Sequence, residues 1–379
     1  MEYLSLNEES ELNIEHAPIK SLNKKKKKNK KNVSTLNFLH KNFDIDDSNR
    51  LSVIHNPKKG RCLLAKSNLP AGTVIFKEFS KFVISKENKL CCNCCKPFNL
   101  QQLQQSLFSL DMTNFENSLN KALIDELHPY AFYCSDICRE DFKSTRDFEL
   151  LLVDQLEKIA LNADCDVNLI KLVVRILSSY SNISNNERLY YKDEGDVLIS
   201  TTKGFLQLEN HIEHQSIEWK NSILKAAEEI KNLLPKELII SSQEILEIAS
   251  RININAYGCQ DIYSFDNCLG VGVFPIIGLC VNHECYPNCS YSFIEGRLEV
   301  RAIKDICVDE EITVTYINPI NCFTERQNIL SNSRYFTCSC QRCSGYVNRL
   351  NKVILNSYIC FFFFFFLFPF FCFTYLLKI

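Results

Sequence analysis

The chain is 379 residues long with 46% hydrophobic residues, enough to bury a full core in one large domain or in two to three small ones. Its 43 Lys and Arg against 45 Asp and Glu leave a net charge of −2, so no global basic field argues for nucleic acid as a direct partner. Twenty cysteines are many, and the opening Met1-Glu2-Tyr3-Leu4-Ser5 has neither the basic flank nor the apolar stretch of a secretory signal, so zinc is expected rather than disulfides.

Residues 1–47 are polar and poorly patterned, with a lysine run from Lys24 to Lys31 interrupted only by Asn29. Such a segment cannot bury enough apolar surface to offset the entropy of ordering, and disorder is expected. It reads as a solvated tail or as a nuclear-import patch. From Leu51 the pattern is structured. Lys59-Gly60-Arg61-Cys62-Leu63-Leu64-Ala65 runs into Asn68-Leu69-Pro70-Ala71-Gly72-Thr73-Val74-Ile75-Phe76, which predicts two strands joined tightly. Cys91, Cys92, Cys94 and Cys95 follow, then a long polar insert over 96–130, then Cys134 and Cys138.

Residues 140–254 read as mostly helical. Leu150, Leu151, Val153, Leu156 and Ile159 lie on one helical face, as do Ile170, Leu172, Val173, Ile176 and Leu177. A third helix is expected from Ile223 to Leu234, stopping before Pro235, and a fourth from Ser241, where Ser241 and Glu244 form a capping box. Arg297 to Ala302 and Glu311 to Tyr316 alternate as strands do, separated by a turn at Lys304-Asp305.

Cys338-Ser339-Cys340-Gln341-Arg342-Cys343 supplies three thiolates within six residues, one short of the tetrahedral set of a structural zinc, and Cys285 is the obvious fourth. The cysteines without metal-like spacing, Cys165, Cys259, Cys268 and Cys280 among them, are expected to be buried small apolar residues. Residues 358–377 carry no charge and are long enough to cross a bilayer as a helix. Pro369 and the run Phe361 to Phe366 count against a tail anchor, because translated non-coding DNA yields the same pattern; a buried core segment is the third reading.

Three of these stretches together carry a resemblance. Asn282-His283-Glu284-Cys285-Tyr286-Pro287-Asn288-Cys289 is similar to the N-H-S-C-x-P-N segment of SET-domain protein methyltransferases. Glu310-Glu311-Ile312-Thr313-Val314-Thr315-Tyr316 is similar to their G-E-E-L-T-x-x-Y, and the C-x-C-x-x-C knot to their post-SET zinc motif. The earlier cysteines narrow the resemblance to the SET and MYND domain family, over roughly residues 50–345. The fold so implied is α+β, a β-rich SET fold with a helical insert, a small zinc-binding MYND-like finger and a post-SET zinc motif. The implied boundaries are 48–90 for the first part of the SET domain, 91–140 for the finger and 141–254 for the insert. The SET core then spans 255–318, the post-SET motif 319–345 and a tail 346–379.

MYND fingers use eight cross-braced ligands, and here only the first and third pairs are present, Cys91 with Cys94 and Cys134 with Cys138. A single-zinc finger is therefore expected. Cys92 and Cys95 offer the same spacing, and only the match of C-x-N-C-x-K-P to family usage favours Cys91 and Cys94. With Cys285, Cys338, Cys340 and Cys343 the expected total is two structural zinc ions.

The resemblance implies an S-adenosylmethionine-dependent protein-lysine methyltransferase in the nucleus or cytoplasm, acting on a histone or another protein that presents a lysine. It assigns Tyr316 to catalysis, orienting the methyl group and the amine, and Gly60, Arg61, Cys62, Asn255, Asn282, His283, Tyr316 and Phe336 to the cofactor. Two departures bear on this. Cys62 stands where the family has a second glycine and is expected to crowd the cofactor, and Arg334 stands where a tyrosine is frequent. They favour the rival reading, a catalytically inactive SET and zinc-finger scaffold that binds partner peptides. After Cys343 only 36 residues remain, so the helical repeat domain of longer relatives is expected to be absent and the cleft open.

Overall fold

The computed structural model describes residues 50–98, 131–180, 188–193, 197–260 and 268–346. The lysine-rich stretch 1–47, nearly all of the polar insert over 96–130 and the apolar run 358–377 lie outside the described residues.

Strands β1 (Leu51–Asn56) and β2 (Gly60–Ala65) form an antiparallel hairpin. Its turn is held by the Asn56 side-chain oxygen, which accepts from the backbone N–H groups of Lys58 and Lys59 at 2.8 and 3.1 Å. The expected tight pairing of β2 with the next strand, β3 (Val74–Phe79), does not form. The connector between them is hydrogen-bonded elsewhere: Leu69 exchanges backbone bonds with Ile306, and the N–H of Gly72 donates to the Ala302 carbonyl.

β3 instead enters a five-stranded sheet with β5 (Tyr190–Lys192), β6 (Val197–Ser200), β10 (Cys289–Ile294) and β11 (Arg297–Ala302), in the order β10-β11-β3-β6-β5. A three-stranded sheet joins β4 (Val83–Ser85), β8 (Cys268–Val273) and β7 (Ala256–Gln260) in that order. The last pair, β9 (Asn282–His283) with β12 (Thr313–Val314), is parallel. The strand expected over residues 311–316 is thus only two residues long, and the Tyr316 N–H bonds the His283 side chain instead of a strand backbone.

The helices are α1 (Asp136–Ala163), α2 (Val167–Leu177), α3 (Thr202–Leu206), α4 (Ile217–Lys231), α5 (Ser242–Asn255), α6 (Pro275–Cys280) and α7 (Phe323–Ser333). The capping box of Ser241 and Glu244 forms at the start of α5 as expected. The third expected helix begins six residues earlier, at Ile217, where the Ser216 hydroxyl caps it. Leu156 and Ile159 of α1 and Ile170, Leu172, Val173, Ile176 and Leu177 of α2 share one core with Ile223 and Ile245, while the side chains of Leu150, Leu151 and Val153 are outside those described. The insert is not wholly helical, since β5 and β6 lie within it. β6 is too short for period-2 alternation to stand out, and its partner β3 is more than a hundred residues away.

The finger docks on the sheet through one glycine. Glu295 and Gly296, at φ 51° and 79°, make the β10–β11 turn, the pair of positive φ values a two-residue hairpin favours. A Cβ on Gly296 would stand 2.4 Å from the Cys94 carbonyl oxygen, so the finger's knuckle approaches as only glycine permits. Of the cysteines expected to be packing residues, Cys259 and Cys280 are buried and Cys165 and Cys268 half-buried. Cys307 and Cys322 are exposed, contrary to that expectation.

Candidate active site and metal centres

Residues 311–314 lie between two strands. On one side Thr313 faces Asn282 and Val314 faces His283. On the other the Ile312 N–H donates to the Leu63 carbonyl at 2.8 Å and the Ala65 N–H to the Glu310 carbonyl at 3.0 Å. Three segments, Gly60-Arg61-Cys62 and, more than 200 residues later, Asn282-His283 and the run to Tyr316, therefore meet.

Asn282 is held on every donor side. Its Nδ2 donates to the Arg61 carbonyl and to Glu311 Oε1, each at 2.8 Å, with Cys62 Sγ at 3.3 Å. Its Oδ1 has no partner among the described residues and is available to a ligand. Glu311 also takes the Lys59 ammonium at 2.5 Å. Burial alone would raise the Glu311 carboxyl, but Lys59 and Asn282 hold it below its ordinary value. The Cys62 side chain is 2% exposed, its sulfur toward Asn282. Burial, then the Glu311 charge, pushes the thiol up to about 12, so it packs as a neutral group. Arg61 Nε donates to the Leu279 carbonyl at 2.8 Å.

The Tyr316 hydroxyl donates to the Val281 carbonyl at 2.6 Å, and its backbone N–H donates to His283 Nδ1 at 3.0 Å. With Nδ1 accepting, the imidazole proton sits on Nε2, which lies 3.3 Å from Cys285 Sγ. Burial lowers His283 to about 4, with Arg326 and Arg334 adding to the effect, so the ring is neutral. It links the backbone of Tyr316 to a cysteine cluster.

Arg334, Tyr257 and Tyr291 stand near Tyr316. The Arg334 guanidinium lies 5.3 Å from the centre of the Tyr316 ring and donates to the Ala256 carbonyl at 3.4 Å. The rings of Tyr257 and Tyr291 meet edge to face at 5.4 Å. The Phe336 ring is 6.0 Å from His283. Asn255, the last residue of α5, donates through Nδ2 to the carbonyls of Glu209 and Arg251 at 3.0 and 2.8 Å. Sequence reasoning did not single out Glu311, Tyr257 or Tyr291. Glu311 was within a recognised motif, whereas the two tyrosines meet only through the packing of β7 on β10.

Two groups of cysteines satisfy the geometry of a tetrahedral ion. The Sγ atoms of Cys91, Cys94, Cys134 and Cys138 all lie within 4.8 Å of one another, and so do those of Cys285, Cys338, Cys340 and Cys343. Four thiolates at about 2.3 Å from zinc stand about 3.8 Å apart. The separations of 3.8 Å for Cys285–Cys338 and 3.6 Å for Cys285–Cys343 fit. Cys94–Cys134 at 3.4 Å and Cys134–Cys138 at 3.5 Å need a small expansion. Cys92 and Cys95 are not in the cluster; Cys95 is buried with its sulfur 3.9 Å from the Ser80 carbonyl. Of the two C-x-x-C pairs, Cys91 and Cys94 are the pair that clusters with Cys134 and Cys138.

The family model described as the SET domain matches residues 60–317, about two thirds of the chain. The chain belongs to the SET domain family. Its relatives are of the SET and MYND branch. It is 28% identical to histone-lysine N-methyltransferase Smyd1 of Mus musculus, over 79% of this chain and 56% of that protein. It is 28% identical to histone-lysine N-methyltransferase ASHR1 of Arabidopsis thaliana, over 78% of this chain and 55% of that one. A SET and MYND domain-containing protein of Dictyostelium discoideum is 23% identical, with 80% and 84% covered. This SET protein thus spans just over half the length of the first two relatives. No helix among its described residues is long and apolar enough to cross a membrane.

Proposed function

We propose that this SET protein is an S-adenosylmethionine-dependent protein-lysine methyltransferase, with one zinc held by Cys91, Cys94, Cys134 and Cys138 and a second by Cys285, Cys338, Cys340 and Cys343. One observation carries the reading: the Tyr316 hydroxyl is fixed on the Val281 carbonyl beside Asn282 and His283, at the crossing of the family's motifs. Two relatives over most of this chain are named histone-lysine N-methyltransferases, so a lysine-bearing protein is the substrate class.

The cofactor supplies an electrophilic methyl group next to a sulfonium charge. Asn282 Oδ1 is free for its ammonium, and Arg61, Asn255 and Phe336 are further residues that the family resemblance assigns to it. A lysine with pKa near 10.4 presents its neutral amine at pH 7.4 at a cost of about 4 kcal/mol. Tyr257, Tyr291 and Tyr316 make an aromatic wall that desolvates the amine and lowers that cost. Burial holds the Tyr316 phenol well above its ordinary range. It therefore acts as a fixed hydroxyl, orienting methyl and amine, rather than as a phenolate base. The His283 ring is no base for the substrate either, because both its nitrogens are engaged. The amine's proton leaves to solvent before transfer.

The rival reading, an inactive scaffold that binds peptides, draws on Arg334, whose guanidinium overlies Tyr316 where a substrate cation would approach. Cys62, with its sulfur toward Asn282, is the second residue on which that reading draws. The eight clustered thiols require a reducing compartment, in keeping with nucleus or cytoplasm.

Calorimetric titration of S-adenosylmethionine into the zinc-replete protein, beside Tyr316→Phe, tests the reading. The wild type is expected to bind at micromolar concentration and methylate a lysine peptide. Tyr316→Phe is expected to keep that affinity within a few-fold and to lose about 10²–10³ in transfer rate. A folded, zinc-loaded protein that binds no cofactor would establish the scaffold instead.

A further inference from the structure

Glu311 carries a carboxylate, 18% exposed, that has no part in the chemistry proposed for Tyr316. Its two oxygens serve different partners: Oε1 accepts from Asn282 Nδ2 at 2.8 Å, and Oε2 takes the Lys59 ammonium at 2.5 Å. A charge this enclosed is costly on its own, and Lys59, itself 55% exposed, offsets that cost. The Glu311 backbone is fixed as well. Its carbonyl accepts from Asn288 Nδ2 at 2.8 Å, and the residue bridges to Leu64 of β2. The carboxylate therefore stands on a rigid support.

Asn282 has a donor end and an acceptor end on one planar amide, and its neighbours decide which way each end faces. The Arg61 carbonyl and the ionised Glu311 carboxylate can only accept, so both hydrogens of Nδ2 are drawn to them and Oδ1 is turned away. Without the carboxylate one of those hydrogens loses its acceptor, and Arg61 alone is left to hold the amide. Cys62 Sγ, at 3.3 Å from Nδ2, is a weak acceptor and no substitute. The negative charge on Glu311 also polarises the amide to which it is bonded, which strengthens Oδ1 as an acceptor for a cation.

We propose that Glu311 is a positioning residue for cofactor binding, holding the Asn282 amide so that Oδ1 is presented to the ammonium of the cofactor's amino-acid group, a role that rests on this being the cofactor site. Glu311 acts through Asn282 rather than by contact, because both of its oxygens are already engaged. Its effect is accordingly confined to ligands that carry the amino-acid group.

Calorimetric titration of the zinc-replete full chain with two probes tests this: S-adenosylhomocysteine, which carries the amino-acid group, and methylthioadenosine, which lacks it. Glu311→Leu is expected to weaken S-adenosylhomocysteine about tenfold and methylthioadenosine by less than about twofold. Glu311→Gln, whose side-chain oxygen can still accept from Asn282 Nδ2, is expected to recover most of that loss. In an Asn282→Ala background, Glu311→Leu is expected to add less than about twofold, since its route to the ligand is gone. Equal weakening of both probes by Glu311→Leu, up to the loss of all binding that misfolding brings, would show a role in the fold and overturn the assignment; so would wild-type affinity for both. A wild type that binds neither probe would overturn the cofactor reading, and this role with it.

Discussion

At the Tyr316 ring two cations compete for one aromatic surface. The Arg334 guanidinium already lies 5.3 Å from its centre, and an acceptor lysine must come close to the same ring. A permanent positive charge there has two opposed effects. It repels the incoming ammonium, which raises KM, and it lowers the pKa of the lysine once seated, which aids loss of its proton. Arg334→Gln should therefore lower KM for a lysine peptide by about tenfold and move the acidic limb of the kcat profile up by about one pH unit. A pH–rate series on both proteins reads both, and movement of kcat alone would show that Arg334 does not face the substrate. Cys62 shows the opposite lesson at the same scale. Cys62, expected to crowd the cofactor, is 2% exposed with its sulfur toward Asn282, an orientation that no residue-by-residue comparison of sequences reveals.

Two elements are held by buried charges. Glu78 of β3 is wholly buried, accepts from Ser200 Oγ, and takes the N–H groups of Ile276 and Ile277, at 2.9 and 3.0 Å, at the start of α6. Burial outweighs these donors and raises its carboxyl to about 7. The folded protein thus keeps a proton that the unfolded chain gives up near pH 4.5. This contribution is full below pH 4.5 and is lost as pH rises through 7, on the order of 3 kcal/mol for this group. Urea unfolding from pH 4.5 to 8 should show the decline, and Glu78→Gln should flatten it. Farther along, Arg175 of α2 makes two bonds from Nε to the Glu149 carboxylate of α1, at 2.6 and 2.9 Å, and donates to the carbonyls of Val83 and Cys92. It ties helices, β4 and finger together. Arg175→Ala should cost about 3–5 kcal/mol, because Glu149 would remain buried and unpaired; chemical denaturation measures it.

For the molecule as a whole, the cysteine clusters act as its fasteners. His283 connects one of them to Tyr316, so a metal at Cys285 would orient the imidazole that receives the Tyr316 N–H. Plasma emission spectrometry on fresh, reduced protein should count two cysteine-bound zinc ions. Cys340→Ser should remove one of them and, with it, S-adenosylmethionine binding. Binding that survives loss of that ion would break the link between the post-SET metal and the site.

Much of this was legible in the sequence because local chemistry left marks there. The capping box of α5 and the apolar stripe of α2 depend on spacing within a few residues, and each occurs where expected. The pairing of β9 with β12 and the company of Asn282 and Glu311 depend on contacts about thirty residues apart, the inward turn of Cys62 and the pairing of β6 with β3 on contacts across more than a hundred, and only the tertiary structure decided them. A side chain's type and spacing constrain what it can do, whereas its orientation is set by whichever distant backbone satisfies the hydrogen bonds beside it.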